Sequence, residues 1–280
     1  MSKNLLYRTI SALIFVPALI YIAAEGRVFF LILVELGIGV GTYEFYEILK
    51  ARGLHPYKTL GVLAALILGL STYFRNYLSI FVTFTALLFF LSISELTRKN
   101  PDRSIYHIST TVFGLFYVGW LMSHLILLRE MPVALHQNYE VGATYALLPF
   151  LLAWSNDTAA YFIGGKFGKH QLIPRVSPKK TWEGTIGGAI FSIIILFVFA
   201  KLLFTNLFYY LNMFDCIVLG LLCGVAAPVG DLVESLLKRD ALVKDASKTI
   251  PGHGGVLDRF DSILFCAPIV YYYLRFFAAR

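Results

Sequence analysis

The chain has 280 residues, of which 58% are hydrophobic and 15% are charged, and its mean hydropathy is +0.71. A soluble domain is usually about 45–50% apolar and about 25% charged, so the composition excludes an ordinary soluble protein. The net charge of +7 fits a membrane surface or an anionic substrate. Nucleic acid is not expected as a partner, because no soluble domain remains to present a basic face.

The apolar residues form long blocks between short charged stretches, which predicts an all-α, polytopic membrane protein. A membrane-spanning helix needs roughly 20 mostly apolar residues. Blocks of this kind predict about nine transmembrane helices, at about 5–24, 28–49, 59–74, 77–96, 105–128, 143–163, 184–206, 214–237 and 260–279. The first block is long and no A-x-A site follows it, so we expect an uncleaved helix and not a signal peptide.

The Lys and Arg residues are distributed unevenly between the two sides of this nine-helix arrangement. Eighteen of the 24 fall at the N-terminus and in the second, fourth, sixth and eighth connections, and six fall on the opposite side. Short cytoplasmic segments carry the excess of such residues. The asymmetry therefore predicts a cytoplasmic N-terminus.

The chain reads as one membrane domain whose two parts differ in character. Residues 1–142 are apolar with few polar residues, and we expect them to be structural. Residues 143–280 contain most of the charged residues that a bilayer should exclude, together with the two most basic connections, 164–183 and 238–259. Cys216, Cys223 and Cys266 lie in apolar stretches without zinc-ligand spacing, so neither a zinc site nor a disulfide framework is expected.

Acidic residues occur inside two of the predicted spans. Asp231, Glu234, Ser235 and Lys238 have the spacing of one helix face, and Asp157 lies in span six. An ionised carboxylate in a bilayer costs about 2.5–3.5 kcal/mol even on insertion scales, so such residues are functional candidates. Glu35, in span two, is a further acid for which the sequence suggests no role.

A glycine-rich segment leads into the last span. Gly252, Gly254 and Gly255 allow close backbone approach, so their N–H groups can face phosphate oxygens. Asp258 and Asp261 follow, three residues apart at a helix start. Together with Asp231 they would form an all-oxygen site for Mg²⁺; the alternative is that they are helix caps.

Paired lysines precede span seven. Lys179 and Lys180 lie in the run Ser177–Gly184, at a helix N-terminus that itself favours anions. Lysines there suit a polyphosphate or a lipid phosphate. Attraction to anionic headgroups explains them equally well.

The run from Ser235 to Asp261, S-x-L-K-R-x4-K-D-x-S-x2-I-P-x-H-G-G-V-x-D-R-F-D, resembles the signature of the phosphatidate cytidylyltransferase family, also called CDP-diacylglycerol synthases. The 27 residues show no departure from that pattern. Asn156–Tyr161 and Ser177–Gly184 are similar to two further family segments. The resemblance covers about 154–261, whereas the first half matches only in being helical and apolar.

The resemblance implies a Mg²⁺-dependent transfer of CMP from CTP to phosphatidate, which yields CDP-diacylglycerol and pyrophosphate for phospholipid synthesis. It implies a multi-pass protein of the bacterial inner membrane, with its active site facing the cytoplasm and in contact with membrane lipids. Catalytic roles are implied for Asp231, Asp258, Asp261, Lys238 and Arg239, with the three aspartates as metal ligands. Substrate-binding roles are assigned to Ser177, Lys179, Lys180, Lys244, Asp245, His253, Gly254, Gly255, Arg259 and Asp157.

Two other functions remain as alternatives at this point. A secondary transporter for an anionic solute would also carry intramembrane acids, but no matching pair of halves is visible. A CDP-alcohol phosphatidyltransferase would need a D-G-x2-A-R…G-x3-D-x3-D motif, which is absent. The sequence leaves open whether the chain forms a homodimer, which acyl chains it prefers and how many metal ions it binds.

Overall fold

Long helices dominate the computed structural model, which describes residues 3–203, 211–247 and 254–278. Each predicted apolar block coincides with a helix over these residues. The helices are α1 (Lys3–Glu25), α2 (Arg27–Ala51), α3 (Lys58–Tyr73), α4 (Tyr77–Leu96), α5 (Ser104–Ala134, with a π-helical segment at Leu115–Trp120), α6 (Val141–Phe167), α7 (Trp182–Val198, continued by a π-helical turn at Phe199–Leu203), α8 (Met213–Asp240) and α9 (Leu257–Tyr273, continued by a π-helical turn at Leu274–Ala278).

Six of the described helices are long and apolar enough to cross a membrane, namely α2, α4, α5, α7, α8 and α9. On α4 only 22% of the apolar window is buried, and Leu78, Phe81 and Phe89 are exposed. Such a surface needs an apolar solvent, so the chain is a multi-pass membrane protein. The count of nine spans stays a prediction, since α1, α3 and α6 are not among these six over the described residues. The cytoplasmic N-terminus stays a prediction as well.

The helices form two compact units that alternate along the chain. The first unit comprises Met1–Ala18, Arg27–Leu127 and Leu237–Arg259, and the second comprises Leu19–Gly26, Leu128–Leu236 and Phe260–Arg280. The predicted division into 1–142 and 143–280 stays a prediction.

In the first unit, Tyr46 on α2 is fully buried and connects three helices. Its hydroxyl donates a hydrogen bond of 2.7 Å to the carbonyl of Thr111 on α5. Gly61 on α3 and Gly114 on α5 lie against the phenol ring, where a Cβ atom would overlap it. The two glycines therefore make room for the largest side chain of this part of the core.

In the second unit, Asn156 on α6 is fully buried and joins α6 to α8. Its Nδ2 donates to the carbonyl of Gly224 at 3.1 Å and lies 3.4 Å from Ser192 Oγ on α7. In a regular helix the N–H of residue 228 would bond to the Gly224 carbonyl, but residue 228 is Pro228, which has no N–H. The Asn156 amide thus satisfies the carbonyl that the proline leaves unpaired.

The predicted span at about 105–128 places Arg129 in a connection, but α5 continues to Ala134 and the Arg129 side chain is fully buried in the second unit. Its Nε and Nη2 donate to the carbonyls of Ala23 and Ala24 at the end of α1, at 2.6 and 3.1 Å. The guanidinium lies over the Tyr139 ring, 4.1 Å from its centroid. Arg129 therefore caps α1, as a cation at a helix C-terminus should.

A short β-hairpin interrupts the all-α pattern, and the sequence did not predict it. Strands β1 (Gln171–Ile173) and β2 (Ser177–Thr181) are antiparallel, with Gln171 opposite Thr181 and Ile173 opposite Ser177. Thr181 ends the hairpin and begins α7, because its side chain accepts the N–H of Gly184 at 3.2 Å as an N-cap. The segment containing Lys179 and Lys180 is thus a strand held against a helix start, where a loop had been predicted.

Candidate functional site

Lys180 and Asp231 form an ion pair in the second unit. Strand β2 delivers Lys180, whose Nζ lies 2.7 Å from Asp231 Oδ2 on α8 and donates to the Pro228 carbonyl at 3.3 Å. The other Asp231 oxygen accepts a hydrogen bond from Ser235 Oγ at 3.2 Å, which confirms that these two residues share one helix face. Both ion-pair side chains remain partly accessible, at 22% and 32% exposure, so a ligand can reach them.

Two further aspartates belong to helices that pack near this pair. Asp157 on α6 interacts electrostatically with Asp231 and Lys180, and its Oδ2 lies 3.5 Å from Ser262 Oγ on α9. Gly230 packs so tightly that a Cβ atom there would lie 2.4 Å from the Asp261 carbonyl oxygen. Residues Asp157, Asp231 and Asp261 thus lie on three helices that meet in the second unit, whereas the sequence grouped Asp231 and Asp261 with Asp258.

The Asp258 carboxylate, in the first unit, organises the chain around the start of α9. Its Oδ1 accepts from Lys238 Nζ at 2.6 Å, and its Oδ2 accepts the N–H groups of Ala246 and Gly255 at 3.0 and 2.7 Å. The ion pair is nearly buried, with 13% of the lysine and 7% of the aspartate side chain exposed. Both carboxylate oxygens are therefore engaged in holding the chain that surrounds the start of α9.

Gly254 is required beside this carboxylate for two reasons. Its φ is +84°, which L side chains rarely adopt, and a Cβ atom there would lie 2.7 Å from Asp258 Oδ2. The glycine-rich pattern therefore reflects close packing of backbone against carboxylate. His253, which the sequence placed in the same site, lies outside the described residues.

Glu44 on α2 is a residue of this region that sequence reasoning missed. It is buried, with 2% exposure. Its Oε1 accepts from Ser247 Oγ at 2.6 Å and its Oε2 accepts the N–H of Leu257 at 2.8 Å. Burying an acid in an apolar helix is costly, and this argument singled out Glu35. The same argument could have identified Glu44.

The remaining predicted site residues lie at the surface of their units. Ser177 is half-buried in β2, and the others are exposed: Lys179, Arg239, Lys244, Asp245 and Arg259. Exposed cations at Lys179, Arg239, Lys244 and Arg259 suit the binding of a soluble anion, and their place in the site stays a prediction.

The magnesium site stays a prediction. Over residues 3–203, 211–247 and 254–278, no three His, Cys, Asp or Glu side chains come close enough together to form a metal site. Asp231 and Asp261 nevertheless offer carboxylate oxygens, the ligands that Mg²⁺ prefers, on helices in direct contact at Gly230. The donor chemistry at these two residues fits the ion. Each of the three aspartates has a present partner, namely Lys180 for Asp231, the Ser262 N–H for Asp261 and Lys238 for Asp258.

Comparison with known proteins extends the resemblance to almost the whole chain. Residues 6–277 match the model of the Cytidylyltransferase family. Phosphatidate cytidylyltransferase of Synechocystis sp. is 34% identical, over 95% of both chains. Phosphatidate cytidylyltransferase 4, chloroplastic, of Arabidopsis thaliana is 33% identical over 91% of this chain and 69% of its own length, and phosphatidate cytidylyltransferase of Bacillus subtilis is 29% identical over 99% of both. The chain belongs to the cytidylyltransferase family.

Proposed function

We propose that this protein transfers CMP from CTP to phosphatidate, releasing pyrophosphate and forming CDP-diacylglycerol for phospholipid synthesis. The observation that carries the proposal is the family match over residues 6–277, supported by relatives of that name along nearly the full length of the chain. The multi-pass helical structure agrees with a lipid substrate. No observation in the structure favours the transporter alternative.

The proposed reaction does not require a side chain to act as a general base. The nucleophile is an oxygen of a phosphate monoester, which is ionised near neutral pH, so the reaction needs no general base. Catalysis then depends on positioning the two substrates and on stabilising charge at the α-phosphate and the leaving pyrophosphate. Preorganised cations and backbone N–H groups provide both.

We assign the charge-handling role in the second unit to Lys180, Asp231 and Asp261, with Asp157 beside them. When bound there, Mg²⁺ would neutralise phosphate oxygens and polarise the α-phosphate. Asp231 and Asp261 would hold the ion, and Lys180 would then be released from Asp231 to pair with a phosphate oxygen. The 2.7 Å Lys180–Asp231 contact supports this assignment, because it shows that a cation is favoured at that carboxylate.

We assign phosphate binding in the first unit to the exposed Arg239, Lys244 and Arg259, which attract the anionic substrate beside the segment that begins at Gly254. The Gly255 N–H is bonded to Asp258 and helps to fix the shape of that segment. Lys238 and Asp258 hold this segment in shape through the contacts described above. Asp258 is thereby assigned a role in positioning and remains a candidate metal ligand.

The proposal includes an arrangement in the membrane. The concentration of Lys and Arg on one side of the predicted spans supports a cytoplasmic N-terminus and a cytoplasmic active site, where CTP is available. We propose a bacterial inner membrane as the location.

A purified-protein assay tests the function. Detergent-solubilised protein with CTP, phosphatidate and Mg²⁺ should release pyrophosphate, and omission of phosphatidate or replacement of CTP by ATP should each abolish release. Chelation by EDTA should stop the reaction and excess Mg²⁺ should restore it. Release that is independent of phosphatidate would refute the proposal.

A further inference from the structure

The N-terminus of α9 receives a carboxylate from a distant part of the chain. Glu44 lies on α2, more than 200 residues before Leu257, yet its Oε2 accepts the Leu257 N–H at 2.8 Å. Leu257 is the first residue of α9. The first N–H groups of a helix lack partners within the helix and carry partial positive charge, so a buried carboxylate is a favourable cap for them.

The same carboxylate holds the chain on the other side of the glycine-rich segment. Glu44 Oε1 accepts from Ser247 Oγ at 2.6 Å. Ser247 follows Ala246, whose N–H bonds to Asp258. One side chain of α2 therefore joins both flanks of the segment to a transmembrane helix.

Gly255 is packed directly against this side chain. A Cβ atom on Gly255 would lie 2.6 Å from Glu44 Oε2 and 2.9 Å from Cδ, so only glycine fits while Glu44 keeps its position. The absence of a side chain at residue 255 is thus explained by its packing against Glu44.

We infer that Glu44 is a positioning residue that sets the geometry of the Gly254–Asp258 segment for phosphate binding. The inference rests on the proposed function and adds to it a residue outside the segments that carry the sequence resemblance. Glu44 acts as a hydrogen-bond acceptor for Leu257 and Ser247 and packs against Gly255. Its side chain is too buried for a phosphate group to replace those contacts.

Substitution of Glu44 by glutamine tests whether the residue is needed as a hydrogen-bond acceptor or for its negative charge. In Glu44→Gln the amide oxygen can accept the Leu257 N–H, and the amide nitrogen can donate to Ser247 Oγ, since a hydroxyl is both donor and acceptor. We expect Glu44→Gln to keep kcat/KM for CTP within about fivefold of wild type. Glu44→Ala loses both contacts and should lower it about 100-fold, as expected for about tenfold per lost contact.

Glu47, one turn further along α2, offers a matched control. It pairs with Lys58 on α3, outside the Gly254–Asp258 segment, so Glu47→Ala should retain kcat/KM within about threefold of wild type. Ser247→Ala removes one contact and should lower kcat/KM for CTP about tenfold. This variant tests the same contact if Glu44→Ala does not fold. In the double variant Glu44→Ala/Ser247→Ala, the serine substitution should add less than twofold, because its partner is already absent.

Hydrogen exchange of the protein without substrates tests the contact independently of the reaction. The Leu257 amide should exchange at least tenfold faster in Glu44→Ala than in Glu47→Ala, and at the wild-type rate in Glu44→Gln. Equal exchange in the two alanine variants, or an inactive Glu44→Gln with wild-type exchange, would overturn the inference. A wild-type protein that lacks CTP-dependent transfer yet shows the exchange pattern would instead refute the proposed function.

Discussion

At the residue scale, the carboxylates that the sequence grouped together have different surroundings. Asp231 is partly exposed and pairs with Lys180, whereas Asp258 is nearly buried and has three donors. Sequence spacing could identify both as unusual acids, because it reports the cost of placing charge near the bilayer. It could not distinguish them, since their partners come from β2 and from the chain around Ala246.

Asp231→Asn tests the assignment of Asp231 to the reaction. The amide keeps the shape but loses the charge that pairs with Lys180 and would bind Mg²⁺, so kcat should fall at least 100-fold. Asp240→Asn, at the exposed end of the same helix where Asp240 pairs with Arg52, is the control and should keep at least half of the activity. Comparable activity of the two variants in the pyrophosphate assay would remove Asp231 from the site.

Lys238→Met tests the buried ion pair with Asp258. Removing one partner leaves a charge that is nearly buried, and such changes cost about 3–5 kcal/mol. The apparent Tm in detergent should therefore fall by several degrees, and the double variant Lys238→Met/Asp258→Asn should recover part of that loss. A Tm for Lys238→Met within about 1 °C of wild type would contradict the structural role of the pair.

At the scale of elements, hydrophobic block length predicted where helices occur, because a bilayer demands about 20 apolar residues for each span. It predicted neither the extension of α5 past Arg129 nor the β-hairpin. Arg129 is compatible with a buried helix because carbonyls at the end of α1 and the carbonyl of Tyr139 accept its hydrogen bonds. The hairpin has just three and five residues in its strands, too few for a periodic signal.

Asn156→Leu tests how α6 and α8 are joined. The substitution leaves the Gly224 carbonyl buried without its donor, which should cost about 1–3 kcal/mol. Pro228→Ala restores a helical N–H to that carbonyl, so it should reduce the cost of Asn156→Leu in the double variant. Ser192→Ala, whose contact with Asn156 is long at 3.4 Å, should change the unfolding temperature little. Purely additive effects of the first two substitutions would show that Pro228 and Asn156 are not coupled.

At the scale of the whole molecule, the composition predicted a membrane protein and the family resemblance indicated the reaction. Neither could identify Glu44. Its importance depends on contacts across more than 200 residues of chain, which no local pattern contains. Each unit is likewise built from segments that are far apart along the chain. The sequence could not predict this, because chain order says little about which helices pack together.

The orientation in the membrane makes a prediction at this scale. With nine spans and a cytoplasmic N-terminus, a reporter fused after Arg280 should lie on the non-cytoplasmic side, and one fused after Asp240 should be cytoplasmic. Alkaline phosphatase and green fluorescent protein fusions read the two sides separately. Cytoplasmic signals from both fusion points would refute the odd number of spans.

The fate of the CTP phosphates tests the transfer of CMP most directly. With phosphatidate and Mg²⁺ present, label from [α-³²P]CTP should enter the chloroform-extractable lipid, while label from [γ-³²P]CTP should stay in water as pyrophosphate. Asp231→Asn should abolish the first signal and Asp240→Asn should preserve it. Entry of γ-label into lipid, or retention of α-label in the aqueous phase by active protein, would contradict the account.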